Sequence, residues 1–113
     1  MASSYKVLGQ LDITSGPTLT DLYTVPASTE TVISTITICN RASAADTFRL
    51  ALRTDGDAIS DKHYLAYDVP VAANDTTTLT LGVAMQATDV LGVSGSGTAS
   101  ELSINAFGAE VTV

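Results

Sequence analysis

LYTVPASTETVISTITICNRASAADTFRLALR, residues Leu22–Arg53, reads as two alternating segments on either side of a polar turn. In Thr47–Arg53, Phe48, Leu50 and Leu52 share one face, and Thr47, Arg49, Ala51 and Arg53 share the other. That period of two is what a half-buried antiparallel strand requires. No catalytic constellation interrupts it.

The pattern extends outward in both directions. Helical spacing with caps is almost missing and β-branched residues are everywhere, which favours pleated structure. The spacing predicts about eight strands, near Tyr5–Ile13, Asp21–Val25, Thr31–Asn40, Asp46–Thr54, His63–Val69, Thr76–Val83, Asp89–Val93 and Glu101–Phe107. A last extended piece, Glu110–Val113, ends the sequence. Turn chemistry marks the breaks: Ser15-Gly16-Pro17, Pro26-Ala27-Ser28, Asn40 to Asp46, Asp55-Gly56-Asp57, Ala73-Asn74-Asp75 and Gly95-Ser96-Gly97. Leu79, Leu81 and Val83 oppose Thr76, Thr78 and Thr80, while Leu102, Ile104 and Ala106 oppose Ser103, Asn105 and Phe107. Two sheets packed through such faces make an all-β, antiparallel sandwich of jelly-roll or immunoglobulin-like kind. The strand order stays open.

One strand departs from the rule. In Thr31–Asn40, Val32, Ile36 and Ile38 share a face, yet Ile33 and Cys39 add apolar groups to the other. A strand packed on a neighbouring subunit reads this way. The expectation is a subunit contact through Ile33, Thr35, Thr37 and Cys39, with Ile33→Asp as its probe.

With 113 residues, the chain is expected to form a single domain over 1–113, residues 1–4 being a short flexible N-terminus. That length buries roughly two-thirds of the unfolded surface without metals or disulfides. Apolar residues make up 45% but aromatics only 5%, so Val, Ile, Leu and Ala must build the core. A mean hydropathy of +0.28 on so small a chain leaves apolar area that favours assembly into a homo-oligomer, with a trimer favoured. MASSYKVLGQ lacks the pattern of a signal peptide, and no window approaches the ~18 apolar residues of a membrane span. The sequence therefore points away from a membrane.

A net charge of −7 and scattered basic residues argue against nucleic acid, which needs clustered Lys and Arg. Arg41, Arg49 and Arg53 read as an ordinary solvated face. The single cysteine, Cys39, excludes an internal disulfide and reads as a small hydrophobe. His63 is the only histidine and has no partner at triad or metal spacing, so the expectation is a partly exposed strand-start residue and no enzyme. Asp55, Asp57 and Asp61 are spaced like calcium-loop ligands but lack the loop's glycine and final glutamate. They read first as an acidic turn, with weak Ca²⁺ binding the alternative, and no cofactor is expected. Tyr5, Tyr23, Tyr64 and Tyr67 read as core residues with hydroxyls at the rim.

YTVP leading into a strand that ends in C-N-R, K-H-Y-L-x-Y-D and A-F-G-x-E near the C-terminus resemble small virion structural proteins of tailed bacteriophages. Those of marine and cyanobacterial phages are nearest, and the likeness runs from Tyr5 to Val111. The resemblance implies a non-enzymatic virion protein made in the host bacterial cytoplasm. A capsid decoration (cement) protein contacting the major capsid protein is one implied role. A tail, baseplate or fibre-associated part contacting tail proteins is another, and a host-surface carbohydrate-binding module is the rival class. Tyr5–Ile13 and Glu110–Val113 are the segments expected to offer strand edges to a neighbour.

Overall fold

The computed structural model describes residues 3–14, 18–96 and 100–113. The turn expected at Ser15-Gly16-Pro17 and the end of the one at Gly95-Ser96-Gly97 lie outside them, as do the first two residues of the expected flexible N-terminus. Eight strands run in order: β1 (Ser3–Ile13), β2 (Thr20–Thr24), β3 (Thr29–Asn40), β4 (Asp46–Arg53), β5 (Tyr64–Val71), β6 (Thr76–Met85), β7 (Val90–Ser94) and β8 (Leu102–Thr112). The expected strands are all present, and Ser3 and Ser4 already belong to β1.

The strands form two four-stranded sheets, ordered β1-β8-β3-β6 and β2-β7-β4-β5. Every pairing is antiparallel. Apart from the β4–β5 hairpin, successive strands alternate between the sheets in the double Greek-key manner, which makes the sandwich a jelly roll rather than an immunoglobulin-like fold. Ile36, Ile38, Leu102, Ile104 and Ala106 from the first sheet meet Phe48, Leu50, Leu91 and Val93 from the second, all fully buried. Each of these side chains other than Ala106 contributes about 1.5–3 kcal/mol when withdrawn from water.

β-Bulges cross the first sheet in a line. The β1–β8 register shifts between Val7 and Gly9, the β3–β8 register between Ile33 and Thr35, and β6 places Leu81 and Gly82 opposite Ser34 alone. Gly82 takes φ +65°, as the extra residue demands. A bulge reverses which residues face inward, and that corrects the reading of β3. Ile33 turns into the core with no exposure while Val32 turns out, 47% exposed. The apparent apolarity on both faces is one inward stripe, shifted by one residue at Ser34.

Glu110–Val113 is corrected too. Ser3 and Glu30 both pair with Val111, so the end of β8 is an interior strand and offers no edge. Of the two expected edge segments only β1 is one.

Candidate interaction surface

The outer face of the first sheet is a grid fixed by register. Its rows run Asp12–Ser103–Cys39–Thr76, Gln10–Asn105–Thr37–Thr78, Val7–Phe107–Thr35–Thr80 and Tyr5–Ala109–Val32–Ala84. The first two rows are polar, and Gln10 Nε2 donates to Asn105 Oδ1 at 2.8 Å. Beyond the bulges the face turns apolar: Tyr5 is 88% exposed, Val7 50% and Leu81 42%. Between Tyr5 and Val32 runs a groove of about 280 Å³, lined also by Ser34, Gly108 and Ala109. Thr35, Thr37 and Cys39 lie half-buried on this outer face as expected, whereas Ile33 does not. The most exposed members, Tyr5 and Val7, escape the sequence reading because nothing in an alternating edge strand marks which face is covered.

Charge is tied up elsewhere. Glu110 is largely buried on the inner side of the sheet, and the exposed Lys6 at the sheet edge reaches it, with Lys6 Nζ 2.5 Å from Glu110 Oε1. Tyr23, on the second sheet, donates its hydroxyl to Glu110 Oε2 at 2.5 Å, so the Thr31 hydroxyl, 2.8 Å away, donates to Tyr23. Burial, followed by the Glu110 bond, pushes the Tyr23 hydroxyl up to about 12. Lys6, followed by Tyr23, holds the Glu110 carboxyl below its ordinary value. The group links both sheets.

The arginines form no patch. Arg41 pairs with Asp12, Arg49 with Asp68 at 2.6 Å and Arg53 with Asp21 at 3.0 Å. β3 ends at Asn40, so Arg41 does not extend the strand face of Cys39. The Arg49 guanidinium also lies 3.9 Å over the Tyr67 ring, which Tyr64 meets edge-on. Only Tyr23 of the four tyrosines is a core residue, and Tyr67 is 56% exposed.

His63 is buried rather than partly exposed. Its Nδ1 accepts the Ser60 amide at 3.0 Å, closing a capping box over the short 3-10 turn Asp61–His63. The neutral ring thus carries its proton on Nε2. Among the described residues no three acidic, histidine or cysteine side chains converge, so Asp55, Asp57 and Asp61 do not assemble a metal site. Asp55 instead accepts the Thr88 hydroxyl at 2.6 Å with φ +55°, a turn role.

The polar residues that do most structurally were missed from sequence. Buried Asn40 donates to the carbonyls of Ala44, Val71 and Ala72 and accepts the Ala42 amide, fastening two connections to the end of β3. Asp89 accepts the amides of Asp55 and Gln86, joining the loops at one end of the sandwich. Burial works to raise Asp46, but hydrogen bonds, among them those from the Thr47 amide at 2.7 Å and the Ser96 amide at 3.2 Å, hold its carboxyl below the ordinary value.

No helix among the described residues is long and apolar enough to cross a membrane. No protein-family model matches the chain, and no curated protein matches it. Among solved structures, a chain from the structure of infectious bursal disease virus Gx strain superposes with a TM-score of 0.51 at 13% identity. The match covers 97% of this chain and 32% of the viral one, so this chain spans about a third of that chain's length. At that identity the likeness is one of fold: an eight-stranded sandwich shared with a chain of a virus.

Proposed function

We propose that this protein is a virion structural protein of a tailed bacteriophage, acting as a capsid decoration (cement) protein. The observation that carries the reading is the match of almost the whole jelly roll to a chain from a virus structure. The phage-like motifs at Tyr23–Pro26, Lys62–Asp68 and Ala106–Glu110 point the same way. The surface adds support. Ion pairs and loop hydrogen bonds engage the arginines and His63, and a broad sheet face presents apolar side chains to solvent. A protein that works by burying area at many symmetric contacts needs surfaces of that kind, since symmetry multiplies small affinities. Quantitative mass spectrometry of purified particles tests the proposal. Copies on the order of hundreds that stay with tail-less heads support decoration, because shell symmetry sets that number. A few copies that stay with the tail transfer the protein to a tail, baseplate or fibre role.

Tyr67 favours one second reading, a host-surface carbohydrate-binding module, since its ring is exposed and lectin domains share the jelly roll. Glycan-array binding that disappears in Tyr67→Ala would move the assignment there.

A further inference from the structure

We infer that the apolar half of the outer face of the first sheet is a contact between two copies of this chain, in which each Tyr5 seats in the other copy's groove. Tyr5 is the most exposed large apolar residue of the described chain. Directly beside it, the groove of about 280 Å³ offers room for an aromatic ring over a floor of Gly108 and Ala109. Knob and hollow thus occupy the same patch, which is what a two-fold contact needs: each surface must fit itself.

Charge selects the occupant. The chain carries −7 overall, so two copies repel wherever their acidic surfaces meet. The rows Val7–Phe107–Thr35–Thr80 and Tyr5–Ala109–Val32–Ala84 contain no ionisable group other than the neutral Tyr5 phenol. Lys6 and Glu110, adjacent to these rows in sequence, neutralise each other, Glu110 largely buried and Lys6 exposed at the sheet edge. The nearest outward carboxylate is Glu30, one row beyond. A basic partner would be drawn to the acidic surface elsewhere; this uncharged face suits a partner bearing the same charge. An aromatic side chain anchored in a partner's pocket is the usual energetic hot spot. The inference commits to a pair, where the composition favours a trimer, and it does not depend on the virion reading.

Sedimentation equilibrium of the full chain over a wide concentration range tests it. The expected result is a reversible monomer–dimer equilibrium that Tyr5→Ser weakens by about 30-fold or more, with the melting transition unchanged. Tyr67→Ser, which removes an exposed aromatic from the second sheet, is expected to dimerise as tightly as the parent. Val32→Lys, which places a charge on the groove wall at an already exposed site, is expected to abolish pairing and serves where Tyr5→Ser fails to fold. A parent protein that stays monomeric or forms a trimer overturns the inference, as does pairing that survives both the Tyr5 and the Val32 changes.

Discussion

Gly108 shows how a single missing side chain sets local geometry. A Cβ there would lie 2.0 Å from the Val32 carbonyl oxygen and 3.0 Å from the Ile33 Cα, both backbone atoms of the neighbouring strand. Neither can swing aside as a side chain would, so β3 would have to move off β8 where its bulge already bends it. Gly108→Ala should therefore destabilise the fold by about 3 kcal/mol, the upper range for overpacking. Urea denaturation would read this as a lower midpoint at unchanged slope, and a midpoint equal to the parent's would sink the argument. Residue-scale features of this kind were barely legible in the sequence. A glycine near the end of a strand signals nothing by itself, and Asn40 looks like a strand terminus rather than a four-bond clamp. Two of the partners of Asn40, Val71 and Ala72, are 31 and 32 residues away, beyond any local pattern.

At the scale of strands the sequence was more informative, because alternation is a direct image of burial. Leu102, Ile104 and Ala106 face the core as their spacing implies, and so do Phe48 and Leu50. Alternation misleads where both faces are covered, as at Ala51 and along β7, and where an extra residue changes its phase. Ser34 is that residue in β3, and a lone small polar residue inside an apolar run carries no mark of a bulge. The consequence reaches the suspected contact: Ile33→Asp would bury a charge in the core and unfold the domain, so it cannot probe an interface. Deleting Ser34 offers a test at this scale. Without Ser34 the strand runs Val32 out, Ile33 in, Thr35 out and Ile36 in, so regular alternation keeps Ile33 buried. Deleting Ser34 and Thr35 together would instead set Ile33 beside Ile36, turning it outward and forcing Val32 inward. Losing the burial of Ile33 alone costs roughly 2–5 kcal/mol, a large part of the stability of a domain this size. The double deletion should give insoluble or unfolded protein by circular dichroism, whereas the Ser34 deletion alone should fold. A soluble, cooperatively melting double-deletion variant would mean that alternation from Ile36 does not set the phase of Ile33.

For the whole molecule, the question is what holds the two sheets together where the core thins toward the apolar end of the first sheet. Tyr23 reaches from the second sheet to Glu110 and Thr31 of the first, and Lys6 closes the group from β1. This linkage ties stability to pH on both sides. Glu110 titrates below its ordinary value of 4.5 in the folded protein. Its stabilisation is therefore complete above the unfolded value and lost as pH falls through the folded one, and Asp46 acts in the same direction. Tyr23 has the opposite sign. Its hydroxyl rises from 10.0 to about 12 on folding, so its contribution is whole below pH 10.0 and disappears as pH climbs through about 12. A rise of that size corresponds to about 2–3 kcal/mol across the alkaline limb. Stability measured by denaturant unfolding should thus form a plateau between about pH 5 and 10, with an acid limb from the carboxylates and an alkaline limb from Tyr23. Tyr23→Phe separates the two. It should lower the plateau by about 1–2 kcal/mol through the lost hydrogen bonds. It should also flatten the alkaline limb while leaving an acid limb carried by the Lys6–Glu110 pair and Asp46. An alkaline limb as steep in Tyr23→Phe as in the parent would show that some other group governs the high-pH loss and that the sheets are held together by apolar packing alone.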